Sequence, residues 1–110
     1  MAFEYTKQPW EEELVAVDFS RRVSSGITIT AYSVTLEETV AVTQGLIAAN
    51  YGPHIVIGTP SLVGATGRER ILTVMVSAGV SGFKYRLSYR ITLSDNQKKE
   101  DDVWIIVKET

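Results

Sequence analysis

From Phe83 to Ser94 the chain alternates apolar and polar residues without a slip. Phe83, Tyr85, Leu87, Tyr89, Ile91 and Leu93 fall on one side, and Lys84, Arg86, Ser88, Arg90, Thr92 and Ser94 fall on the other. A period of two is the period of a β-strand, so the segment predicts a strand with one face buried and the other in water. A shift of one residue would bury three cations, which fixes the register against any neighbour.

The rest of the chain carries the same period in shorter pieces. Val15 to Phe19 alternates and runs into Ser20-Arg-Arg-Val-Ser-Ser-Gly26, a polar stretch read as a loop or short helical turn. Ile27 to Leu36 is rich in β-branched residues and predicts a half-buried strand. Thr39 to Thr43 and His54 to Gly58 are two more apolar pieces, separated by the punctuation of Asn50-Tyr51-Gly52-Pro53, and are expected as short strands or one irregular excursion. The small residues of Thr59 to Gly67 read as a loop, Ile71 to Ser77 as a strand, Ala78 to Gly82 and Ser94 to Lys98 as turns, and Val103 to Val107 as the last strand. Six or seven short strands without a long helical period predict an all-β fold, an antiparallel β-sandwich of the immunoglobulin or fibronectin kind. Tyr85, just after a turn, stands where such sandwiches place a corner tyrosine, although an ordinary core tyrosine is an equal reading. Asp18, followed by Ser20, is assigned to ending its strand by bonding the backbone.

A chain of 110 residues fits one domain with one core, residues 1–13 serving as an N-terminal arm or edge segment. Hydrophobic residues make up 45% and charged residues 22%, a composition that folds rather than staying disordered. The net charge of −2 leaves few cations to neutralise phosphates, so nucleic acid is not an expected partner. No apolar run approaches the roughly 20 residues of a membrane span, and the first residues lack the apolar stretch of a secretory signal. The absence of cysteine removes disulfides, zinc-thiolate sites and thiol catalysis.

A search for chemistry returns nothing assembled. His54, the single histidine, has no Cys or second His nearby and reads as a surface or partly packed residue. Ser81 lacks the Gly-x-Ser-x-Gly spacing of a nucleophile elbow. The glycines between Gly58 and Gly67 lack the lysine of a phosphate loop. The acidic runs Glu11 to Glu13 and Glu100 to Asp102 lack the spacing of a calcium loop and read as solvated charge, the second also as protection for an edge strand. The expectation is no enzyme, no cofactor and no metal.

Two features bear on contacts instead. Lys84, Arg86 and Arg90 form an outward row, which is either a solvated face pairing with carboxylates such as Glu100 or Asp102, or a docking face for an acidic partner. In the last strand Val103, Ile105 and Val107 compete with Trp104 and Ile106 for the inward side. A two- or four-residue hairpin loop sets Tyr89 against Trp104 and sends Trp104 and Ile106 into the core. A three- or five-residue loop sets Tyr89 against Ile105 and turns that pair outward, as an apolar surface for another subunit or a covering N-terminal segment. The odd loop is favoured because it buries three β-branched residues and leaves Lys108 in water. The candidate interface is therefore Trp104, Ile106, Lys84, Arg86 and Arg90. A different class of function, a carbohydrate- or receptor-binding module, would use Trp10, Tyr51 and Trp104 as stacking aromatics.

Lys7-Gln-Pro9, then Leu14-Val-Ala-Val-Asp18-Phe19-Ser20, then Val23, Gly26 and Ile29 resemble small bacteriophage and prophage virion-associated proteins of the fiber-tail adaptor type. Val74-Met-Val-Ser-Ala-Gly79-Val-Ser-Gly82-Phe-Lys-Tyr85 and the acidic-then-apolar last strand resemble them as well, whereas residues from about Glu37 to Arg70 look longer and more apolar than that pattern. The resemblance implies a small β-sandwich made in the bacterial host cytoplasm and built into the virion. There it would be non-enzymatic, bound to other virion proteins and present in several symmetric copies as a homo-oligomer, while net charge and the lack of a long apolar run leave no nucleic acid or membrane partner expected. It does not say whether the protein sits at a neck, tail, fiber base or capsid surface.

Overall fold

The computed structural model describes residues 3–42, 44–65 and 68–109. They form strands β1 (Phe3–Lys7), β2 (Glu13–Asp18), β3 (Ile29–Ala41), β4 (Val56–Ile57), β5 (Ser61–Ala65), β6 (Arg68–Ser77), β7 (Phe83–Leu93) and β8 (Lys98–Val107), with short 3-10 turns at Ser20–Arg22 and Ala48–Asn50. One sheet has the spatial order β1-β8-β7-β3. The other has β2-β6-β4, with β5 also pairing β6. Among the described residues only β1, which lies beside β8, is parallel to its neighbour.

The two sheets face each other across a β-sandwich core. Val15, Val17 and Phe19 with Leu72, Val74 and Val76 meet the whole apolar row of β7 and Val103, Ile105 and Val107 of β8, and none of these residues is more than 2% exposed. Burying such side chains stabilises by about 1.5–3 kcal/mol each, which makes this row the main support of the fold. The Tyr89 hydroxyl crosses between the sheets to donate to the Val15 carbonyl at 2.9 Å.

The turn leading into β7 is closed by Tyr85. Its hydroxyl oxygen accepts the Val80 N–H at 3.0 Å and lies 2.7 Å from His54 Nδ1. His54 Nε2 faces the Ala48 carbonyl at 2.7 Å, so the tautomer that satisfies all partners carries its proton on Nε2 and accepts from Tyr85 at Nδ1. The hydroxyl thus ties the turn to the start of β7 through the backbone five residues upstream. Asp18 ends β2 as expected, its Oδ1 accepting the Ser20 N–H at 2.8 Å, and the hydrogen bonds from Ser20 hold its carboxyl below the usual range.

Several boundaries differ from the sequence expectation. The piece expected from Thr39 is the continuation of β3, which runs on through Glu37 and Glu38 because those two face water beside β7; Thr43 lies outside the described residues. Only Val56–Ile57 of the His54 to Gly58 piece is strand. The expected loop at Thr59 to Gly67 contains β5, where Ser61, Leu62 and Val63 pair with Thr73, Leu72 and Ile71; Thr66 and Gly67 lie outside the described residues. Small residues suit that edge because Gly64, at φ 147°, comes so close to Arg68 that a Cβ would sit 2.8 Å from its carbonyl oxygen.

The last hairpin pairs Thr92 with Lys98 around a five-residue loop, with Asn96 in the left-handed region at φ 69°. The odd loop buries Val103, Ile105 and Val107 and turns Trp104 and Ile106 outward. Tyr89 opposes Asp101 rather than Ile105, which opposes Tyr85, because β8 begins at Lys98. Residues Lys98 to Asp102 pair fully with β7 despite their charge, since Glu100 and Asp102 point out toward Arg90 and Arg86.

Candidate protein-contact surfaces

The outer face of the first sheet is a grid of charges placed by cross-strand register. Arg86 Nε lies 2.7 Å from Glu38 on β3 and its Nη1 3.3 Å from Asp102 on β8. Arg90 Nε lies 2.6 Å from Glu100 and its Nη2 3.4 Å from Glu37. Ser88, fully buried between the two arginines, donates to Glu100 at 2.6 Å and lies 3.1 Å from Asp102. The Ser88 hydroxyl, and after it Arg90, hold the Glu100 carboxyl below its usual range. Exposed pairs of this kind contribute little to stability, but together they hold six side chains in one arrangement.

Toward the β1 side the face changes character. Lys84 Nζ sits 4.6 Å from the centre of the Trp104 ring, and Ile106 lies opposite Lys84 in the register. Both apolar side chains are half-buried, flanked along the edge by Glu4 and Thr6 of β1. Of the five residues singled out in the sequence, Trp104, Ile106 and Lys84 form one corner. Arg86 and Arg90 are committed to carboxylates of their own chain.

A second surface was not among the expected ones. The outer face of the β2-β6-β4 sheet carries Leu14 at 61%, Val56 at 52%, Met75 at 43% and Val63 at 43% exposure. Leu14 opposes Met75, Val56 opposes Ser77 and Val63 opposes Ile71, so these side chains share one face. The signal was present: Leu14-Val-Ala-Val and Ile71-Leu-Thr-Val-Met-Val are apolar at both parities, where a solvated face would show alternation.

Trp10 stands apart from both faces. It occupies the turn between β1 and β2 and is 94% exposed. Two hydrogen bonds close the turn: Glu11 N–H donates to the Gln8 carbonyl at 3.1 Å, and Gln8 N–H donates to Glu11 Oε1 at 2.6 Å. The buried Lys7 ammonium reaches the Gln8 carbonyl at 2.7 Å and the Ala78 carbonyl on the far side of the sandwich end. Burial pushes this lysine below its usual pKa, with Glu11 and Glu13 opposing the shift.

The three aromatics considered as a sugar platform come from separate places. Trp10 is on the β1–β2 turn and Trp104 on the outer face of β8, while Tyr51 follows the second 3-10 turn with its ring 5.7 Å from Phe83. No ring contact joins the three among the described residues. His54 is held by Tyr85 and Ala48, and Ser81 Oγ accepts the Glu109 N–H at 3.2 Å, so both act in local structure. Among the described residues no group of three or more His, Cys, Asp or Glu could hold a metal ion.

The chain matches the model of a family described as podophage GP4 fiber-tail adaptor protein gp77 over residues 7–106, a span that includes the longer, more apolar stretch from about Glu37 to Arg70. No curated protein and no solved structure matches it.

Proposed function

Because this chain belongs to the podophage GP4 fiber-tail adaptor family and is thereby a structural tail protein of a phage virion, we propose that it works as a non-enzymatic adaptor. It is made in the host cytoplasm and joins a fiber-bearing component to the tail through protein contacts, in several symmetric copies. The observation that carries this reading is the outer face of the β2-β6-β4 sheet, where Leu14, Val56, Val63 and Met75 expose apolar surface at register positions that a solvated sheet fills with polar residues. The corner of Trp104, Ile106 and Lys84 is a second contact surface on the opposite sheet, stiffened by the Arg86 and Arg90 grid.

Two well-folded neighbours can thus be held on opposite faces of one small sandwich, which is the geometry an adaptor needs. The test is complementation of a phage lacking the chain with Leu14→Arg/Met75→Arg. The purified variant keeps its melting temperature, while mass spectrometry of purified particles finds the variant or the fibers missing. Particles that carry the variant and a full complement of fibers would overturn the assignment of this face. Absence of the wild-type chain from particles would overturn the adaptor reading itself.

A further inference from the structure

Among the described residues, the Trp10 turn and a hollow at the other end of the molecule carry unpaired charges of opposite sign. Lys7 pairs with Val107, which pairs with Phe83, so the Trp10 turn lies at the Phe83 end of β7. The opposite end of β7, where Thr92 pairs with Lys98, carries a hollow of about 690 Å³ lined by Ala31, Tyr32, Ile91, Thr92, Lys98 and Lys99. The register shift between Ile29 and Ala31 disturbs the edge there, and Tyr32 is left 43% exposed. Arg90 and Glu100, which line it together with Ser33, neutralise each other. Among the described residues Lys98 and Lys99 have no carboxylate partner, and at the other end Glu12, which shares a surface depression with Trp10, has no cationic one.

We infer that the occupant of this hollow is the Trp10 turn of a second copy of the chain, with Glu12 meeting Lys98, which stands beside the outward Thr92. A bare tryptophan on a braced turn loses little freedom on docking, which is the condition for an aromatic anchor. Knob and hollow lie at opposite ends of a molecule 49 Å long, so the contact is head-to-tail and builds rings or rows rather than closed pairs. This rests on the multi-copy part of the adaptor reading and names the surface that would join the copies.

The experiment is sedimentation velocity of the purified full chain over a concentration series. The wild type self-associates, less so at high salt, and Trp10→Ala, Glu12→Lys and Lys98→Glu each weaken the association at least tenfold. Thermal melts of each variant verify folding. Glu12→Lys combined with Lys98→Glu regains association, because the attraction is restored with its sign exchanged. An equimolar mixture of Trp10→Ala and Lys98→Glu forms one-to-one pairs that grow no further, since each copy keeps one working end. A monomeric wild type, failure of the charge exchange, or a closed symmetric dimer indifferent to these changes overturns the inference. Particle incorporation measured separately shows whether the adaptor reading falls with it.

Discussion

The ammonium of Lys7 donates to the carbonyl oxygen of Ala78, a residue held in the left-handed region at φ 58°. Seventy-one positions separate the two in sequence, yet this contact ties the first strand to the turn between β6 and β7. Lys7 also receives Lys108 N–H on its own carbonyl, so both chain ends converge on one buried cation.

Replacing Lys7 with methionine keeps the aliphatic stem and removes the donors. The Gln8 and Ala78 carbonyls lose their charged partner, and the domain is expected to lose about 1–3 kcal/mol, read as a lower urea midpoint at unchanged slope. A neutral result would show that water replaces the ammonium at both carbonyls.

Tyr89 predicts an alkaline limit to stability. Its phenol is pushed far above the usual tyrosine range, first by burial, and burial raises Tyr85 as well. A group whose folded pKa exceeds its unfolded one contributes stability that is complete below the unfolded value, about 10 for tyrosine, and is lost as pH rises through the folded value. Melting temperature should therefore fall above about pH 10. Tyr89→Phe, which leaves the Val15 carbonyl without its donor, costs about 1–2 kcal/mol at neutral pH and makes the alkaline fall shallower. An equally steep fall in the variant would place the titration elsewhere.

Gly79 sits at φ 101°, and a Cβ there would lie 2.7 Å from Val107 Cγ2. Both the backbone region and the contact oppose a side chain, so Gly79→Ala is expected to destabilise by about 1–3 kcal/mol. Chemical denaturation with a paired Gly52→Ala control, where no atom lies within 4 Å of the added Cβ, separates crowding from a general glycine effect.

Adjacent residues of β8 should respond in opposite ways. Trp104→Glu loses the stacked Lys84, a contact of about 0.5–1 kcal/mol, and leaves the domain folded. Ile105→Glu puts a carboxylate into a site that is 1% exposed and should unfold the chain. Circular dichroism melts of the two variants decide it, and unfolding by Trp104→Glu would contradict the outward placement.

Much of the first sheet was legible. In β7 the alternation specified which residues face the core, and the β-branched run of β3 and the apolar stretch of β6 announced strands because their period is local. The odd hairpin loop follows from burying three β-branched residues and keeping Lys108 in water, and the inward face of β8 follows from it. Less could be read where charge or small size masked pairing. Lys98 to Asp102 resembles a solvated turn until Arg86 and Arg90 stand opposite, and Ser61 to Ala65 resembles a loop until β6 lies beside it. The apolar outer face of the second sheet is signalled by apolar residues at both parities, but that Leu14 and Met75 share it is set only by the pairing of β2 with β6.

By itself the sequence determined that this chain makes β-strands, that one face of β7 is buried, and that an adaptor-like pattern runs through it, since each of these depends on residue order over short spans. Only the tertiary structure decided that Lys7 would be buried, that Arg86 and Arg90 would be paired within the chain, and that Leu14, Met75 and Trp10 would remain outside. Those outcomes depend on which distant strands become neighbours and in what register, and β7 alone is compatible with many neighbours until the whole sandwich closes around it.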